Sequence, residues 1–204
     1  MTPRRQRESN TPLQAALPPR NVRVAKCVIA LALACASGEI LAQPMPSNIS
    51  LEYAVKATYL YKLAPFVNWP PTTFTAANVP FEICVVGEDP FNDFLEKAVT
   101  GQHFGTHPFA VRKLDTLTPG TDCQIVFISH LSSQSISDAL QAVNGEPVMT
   151  VTDSGATPDD GGIMHFVIEQ GRVRFEIDTA AAGRNHLTIS SKLLNLAVVV
   201  RDAG

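Results

Sequence analysis

The stretch GGIMHFVIEQGRVRFEID, residues 161–178, constrains the fold more than any other part of the chain. Apolar and polar residues alternate on both sides of Gln170-Gly171, the mark of two strands joined by a two-residue turn. That turn sets the facing pairs as Glu169 with Arg172, Ile168 with Val173, Val167 with Arg174, Phe166 with Phe175, His165 with Glu176 and Met164 with Ile177. Because side chains alternate across a strand, Met164, Phe166, Ile168, Val173, Phe175 and Ile177 then share one wholly apolar face. The opposite face carries His165, Arg172, Arg174, Glu176 and Asp178, beside Val167 and Ile163. Periodicity alone favours a solvated role for it. His165, Arg172, Arg174 and Glu176 are nonetheless the residues that would meet a partner or ligand there.

Upstream, helices and strands alternate. In LEYAVKATYLYKLA the residues Leu51, Val55, Tyr59 and Leu63 fall on one helical stripe, which is expected to face the core. Pro65 should end that helix, and the WPP turn should pack Trp69 inward. FEICVVG reads as a buried strand. It is followed by EDPFNDFLEKAV, with Asp89 as cap, Pro90 at the first position and Phe91, Phe94, Leu95 and Ala98 on the buried face. A strand within PFAVRKL, the strand CQIVFIS, a helix near Ser133 to Val143 and the strand EPVMTVTD continue the series. SSKLLNLAVVV is expected as a final helix with Leu193, Leu196, Ala197 and Val200 inward and Ser190 or Thr188 as its cap. The fold class is therefore α/β: one domain, a largely parallel central sheet flanked by helices, with one antiparallel hairpin near the C-terminus.

The front of the chain sets its compartment. Arg4, Arg5, Arg7, Arg20, Arg23 and Lys26 precede the apolar run CVIALALACA, the charge step of an export signal. That run is about half the length a transmembrane helix needs, so cleavage is the better reading than a permanent anchor. The expected cut follows Ala42, giving a leader over 1–42, a short linker over 43–50 and the domain over 51–201. Lipid attachment at Cys35 is the rival, weakened by Ala32 where such motifs favour leucine. Loss of the leader leaves ten basic against seventeen acidic residues and moves the formal charge from −3 to −7. A chain so acidic is ill suited to nucleic acid or an anionic membrane surface, and its partners are expected to be protein or small molecule. No insertion into the membrane is expected after cleavage, and a homodimer stays open.

Cleavage also removes Cys27 and Cys35, leaving Cys84 and Cys123. In an oxidising compartment two cysteines read most simply as one disulfide tying two strands, with a pair of unjoined core thiols as the alternative. Catalytic signals are weak. Glu88, Asp89, Ser129, His130, Thr152 and Asp153 lie at expected strand ends, where α/β sheets collect ligands, so they form a candidate pocket for a small molecule. Ser129 and His130 alone do not make a nucleophile and base. The loop DSGATPDDGG lacks the spacing of a calcium site. No metal, cofactor or catalytic residue is expected.

Taken in order, EYAVKATYLYKLAPFVNWP, FEICVVGEDPF, DCQIVFIS, VMTVTD, GGIMHFVIEQGRVRFEID and LTISSKLLNLA resemble the YfiR family of periplasmic regulators, from about Glu52 to Val200. The resemblance implies a periplasmic, non-enzymatic protein that restrains an inner-membrane diguanylate cyclase through its periplasmic sensor domain, limiting cyclic di-GMP and biofilm formation. It also implies an outer-membrane lipoprotein or reducing stress as the releasing agent. Family members carry a disulfide corresponding to Cys84 and Cys123, and some a second pair that this chain lacks. A periplasmic small-molecule-binding module is the alternative function.

Overall fold

The computed structural model describes residues 48–153, 160 and 162–202. The leader, the cut near Ala42 and most of the aspartate- and glycine-rich loop lie outside these residues. Helix α1 spans Asn48–Leu63, so its first turn takes in residues expected as linker. A 3-10 turn over Ala64–Phe66 carries Pro65 and ends the helix. Strand β1 is Val67–Asn68, β2 Phe81–Val86, β3 His103–Phe104, β4 His107–Leu114, β5 Ile125–Ile128 and β6 Met149–Thr152. The hairpin is β7, Met164–Glu169, and β8, Arg172–Asp178; β9 is Thr188–Ile189 and β10 Val199–Arg201. Helices α2, Phe94–Val99, α3, Ile136–Ala142, α4, Thr179–Arg184, and α5, Ser191–Leu194, connect them.

Eight strands form one sheet in the order β10-β8-β7-β6-β5-β2-β4-β3, and β1 pairs with β9 separately. The pairs from β4 through β2, β5 and β6 to β7 are parallel, as is β8 with β10. The β7-β8 hairpin is antiparallel and shows all six expected pairs. Its turn residues Gln170 and Gly171 both have positive φ, the geometry that matches strand twist in a two-residue loop. The α/β sheet with its hairpin is thus as the alternation of the sequence requires.

Burial on both sides explains why Ile83 to Val86 of β2 and the whole of β5 read as unbroken apolar runs. Phe81, Ile83 and Val85 of β2 with Ile125 and Phe127 of β5 enter the larger core, under α1 and α2. Cys84 and Val86 with Val126 and Ile128 enter a smaller core under α3, closed by Ala139, Leu140 and Val143. Trp69 stands edge-on to Phe81 with ring centroids 5.3 Å apart and donates from Nε1 to the Ala64 carbonyl.

Three local expectations are corrected. On α1 the buried residues are Lys56, Ala57, Leu60 and Leu63, whereas Leu51 is 58% and Val55 37% exposed. The helix is therefore turned away from the expected stripe, and only Leu63 and the half-buried Tyr59 keep their assigned role. Asp89 does not cap α2. Its carboxylate accepts from the Phe91 amide in a preceding turn, and the helix starts four residues beyond Pro90. The C-terminal helix is one turn, α5, after which β-branched Val199 and Val200 join the sheet beside β8, leaving Leu196 exposed.

Cys84 on β2 is bonded to Cys123, which lies in the loop two residues before β5, with Cα atoms 5.9 Å apart. Arg112 of β4, the register partner of Cys84, lies over the bond, its Nη2 donating to the Asp122 carbonyl at 3.0 Å and standing 3.2 Å from Cys123 Sγ. The bridge closes a chain separation of 39 residues. Loop entropy puts its contribution at about 4 kcal/mol. Urea unfolding of the oxidised protein and of the double variant Cys84→Ala/Cys123→Ala should show the variant less stable by that order, and coincident midpoints would contradict it.

Candidate functional site

The six strand-end candidates lie along the carboxyl edge of β2, β5 and β6, neighbours in the sheet. Chain winding reverses between β2 and β5, the position at which open α/β sheets take ligands. Here that position is filled by backbone. A Cβ placed on Gly87, whose φ is +90°, would stand 2.5 Å from the His130 carbonyl oxygen, and the Glu88 amide donates to that same oxygen at 3.1 Å. Ser129 is buried and His130 exposed. Asp89 is paired to Lys113 at 2.6 Å.

Asp153 has a different partner, one that no spacing in the sequence reveals. Lys56 of α1 is 1% exposed and donates to Asp153 Oδ1 at 2.6 Å and to Glu52, one helical turn earlier. Its ammonium group also stands 4.6 Å from the centre of the Tyr53 ring. A buried cation held by two carboxylates ties α1 to the end of β6. The available signal was the Glu52-Lys56 spacing, which is also that of an ordinary exposed helix pair.

The hairpin's polar face divides in two. Near the sheet, His165 and Glu176 are half-buried. The Thr152 hydroxyl lies 3.3 Å from the Met164 carbonyl, to which it can donate, and shares a hydrogen bond of 2.9 Å with His165 Nδ1. Glu176 accepts from Arg201 of β10 at 2.9 Å, a tether between neighbouring strands. Arg172 and Arg174, further out, are exposed. The structure thus separates the four residues into a network at the hairpin base and two free-standing cations at its tip.

Beyond β6 and β10 the hairpin continues as an arm. β6 pairs with β7 only through Val151 and Thr152, and β10 meets β8 only at Glu176 to Asp178. Tyr59 packs on Phe166 and Phe175 at the base of the arm's apolar face, with centroids 6.0 and 5.8 Å away. Past that contact α1 and the arm diverge around a groove of about 600 Å³, lined by Leu51, Val55, Ile168, Val173, Arg172 and Arg174 among others. Ile168 is 53% exposed.

Among the described residues no three His, Cys, Asp or Glu side chains gather as a metal site would require, and no helix is long and apolar enough to cross a membrane. The model of the family described as YfiR/HmsC-like matches residues 53–198, and the chain belongs to that family. No curated protein matches it.

Burial lowers the pKa of His165 below its ordinary value of 6.5, against the raising pull of Glu176 and Asp153. The folded state then binds fewer protons than the unfolded state in acid, so this contribution to stability is complete above pH 6.5 and is lost as pH falls through the lowered value. Between about pH 7.5 and about pH 5 the native protein should lose more unfolding free energy than His165→Gln. Parallel losses would contradict this placement of the imidazole.

Proposed function

We propose that this member of the YfiR/HmsC-like family is a periplasmic regulator that binds and restrains the periplasmic sensor domain of an inner-membrane diguanylate cyclase, limiting cyclic di-GMP signalling and biofilm formation. The observation that carries the reading is the family match over residues 53–198, nearly all of the domain. Two features agree with it. A structural disulfide suits an exported protein. The strand-end position where an α/β sheet would seat a small molecule is closed by the His130 backbone over Gly87, which favours a protein partner over a metabolite.

In this reading residues 1–42 are a cleaved leader, the domain works without catalysis, and an outer-membrane lipoprotein is a candidate for the releasing partner. The mechanism is linkage: a protein that binds the inactive conformation of a receptor more tightly than the active one shifts the population by the ratio of the two affinities. A hundredfold preference corresponds to about 2.7 kcal/mol. The polypeptide acts across the membrane without meeting the nucleotide.

Deletion of the gene should raise cellular cyclic di-GMP and surface attachment, and expression of the exported protein should reverse both. Ser129→Ala and His130→Ala should reverse them as well as the native chain does. Nucleotide levels that stay level on deletion across growth conditions would contradict the regulatory reading.

A further inference from the structure

The groove between α1 and the hairpin arm combines features that the fold does not use. Leu51 and Val55 on the helix, and Ile168 on the arm, are large apolar side chains left in solvent within one concave surface. Isolated exposed apolar residues are ordinary, whereas a group of them sharing a groove marks a contact surface. The walls are fixed from behind. Lys56 holds the helix through Asp153, and Tyr59 holds the arm through Phe166 and Phe175. A groove with rigid walls loses little conformational freedom when occupied.

Charge identifies the occupant. Arg172 and Arg174 alternate to the arm's other face but border the groove along the arm's outer edge, which β10 leaves uncovered at these residues, and no ion pair joins either of them to another of the described residues. Glu169, the cross-strand neighbour of Arg172, makes no such pair with it either. The carboxylate inside the groove, Glu52, is already engaged by Lys56. In a chain with seventeen acidic and ten basic residues after residue 42, two neighbouring unpaired arginines beside an apolar groove are a local reversal of sign. Guanidinium groups bind carboxylates in a two-pronged geometry and keep their charge at any physiological pH.

We propose that this groove is the docking surface for an acidic segment of a partner protein, whose apolar side chains pack on Leu51, Val55, Ile168 and Val173 while its carboxylates bind Arg172 and Arg174. The inference rests on the regulatory reading only for the partner's identity, the sensor domain of a cyclase. Beside the groove, the outer edge of the arm from Arg172 to Arg174 has no strand against it among the described residues, so its backbone groups are open to the same segment.

The test is site-specific photo-crosslinking in the native cell envelope. The full chain carries the photoreactive residue at Val55 or Ile168, with the exposed Gln141 of α3 as the control position, and crosslinked peptides are sequenced. The expected result is capture from Val55 and Ile168, and not from Gln141, of a carboxylate-rich segment of a cyclase's periplasmic domain. Arg172→Glu with Arg174→Glu should cut the yield by about tenfold or more, and Arg172→Lys with Arg174→Lys should retain most of it. No capture from the groove, capture of a segment without carboxylates, capture of a second copy of this chain, or a yield indifferent to charge reversal would each overturn the proposal. A groove-specific, charge-sensitive crosslink to an acidic envelope protein other than a cyclase would uphold the surface and refute the regulatory reading. A cyclase captured from Gln141 alone would do the opposite.

Discussion

Burial of the Lys56 ammonium between Asp153 and Glu52 decides which side of α1 faces the sheet. The helix carries two usable stripes. One, through Leu51, Val55 and Tyr59, is the more apolar; the other, through Tyr53, Ala57 and Leu60, includes a lysine. Hydrophobicity alone would bury the first. A lysine placed among Tyr53, Phe166 and the end of β6 must be neutralised, and Asp153 is positioned to do so. An ion pair of this kind adds little net stability over a well-packed apolar substitute, but it penalises every arrangement that separates its members. Its effect is therefore on the rotation of the helix more than on the depth of the energy minimum. The leucine and valine left outside by that rotation form one wall of the groove.

The other side of the sheet is secured differently. The smaller core under α3 is bounded by the Cys84-Cys123 bond, and Arg112 lies across that bond with its head group on the Asp122 carbonyl. One face thus relies on a covalent link that shortens the unfolded chain's freedom, the other on aromatic packing around a fixed helix. This division puts the rigid parts at the centre and leaves the hairpin arm, supported on one face only, reaching past its neighbours.

Much of this was legible in the sequence, for physical reasons that also explain the failures. The hairpin pairs are all correct because a two-residue turn and a period of two leave no freedom of register. The strands β2, β5 and β6 are short segments rich in apolar and β-branched residues and bounded by turn residues, a pattern with few alternatives. The face of α1 was misread because a buried lysine is disguised as a surface residue until its partner is known, and Asp153 lies 97 residues away. The final helix was misread because apolar spacing in a short segment fits two periods, and the β-branched Val199 and Val200 settle it only when β8 offers an edge. The polar hairpin face was identified as one surface, whereas depth along the arm divides it: His165 and Glu176 are absorbed by Thr152 and Arg201, and only the arginines at the tip stay free.

The most direct measurement is a double-mutant cycle on unfolding free energy with Lys56→Met and Asp153→Asn. If the buried pair sets the seating of α1, each single change should cost about 3 kcal/mol, and the double variant should lose no more than either alone, because the second change removes a group the first had already stranded. Losses that simply add would contradict the account, and would mean that the helix finds its place without the lysine.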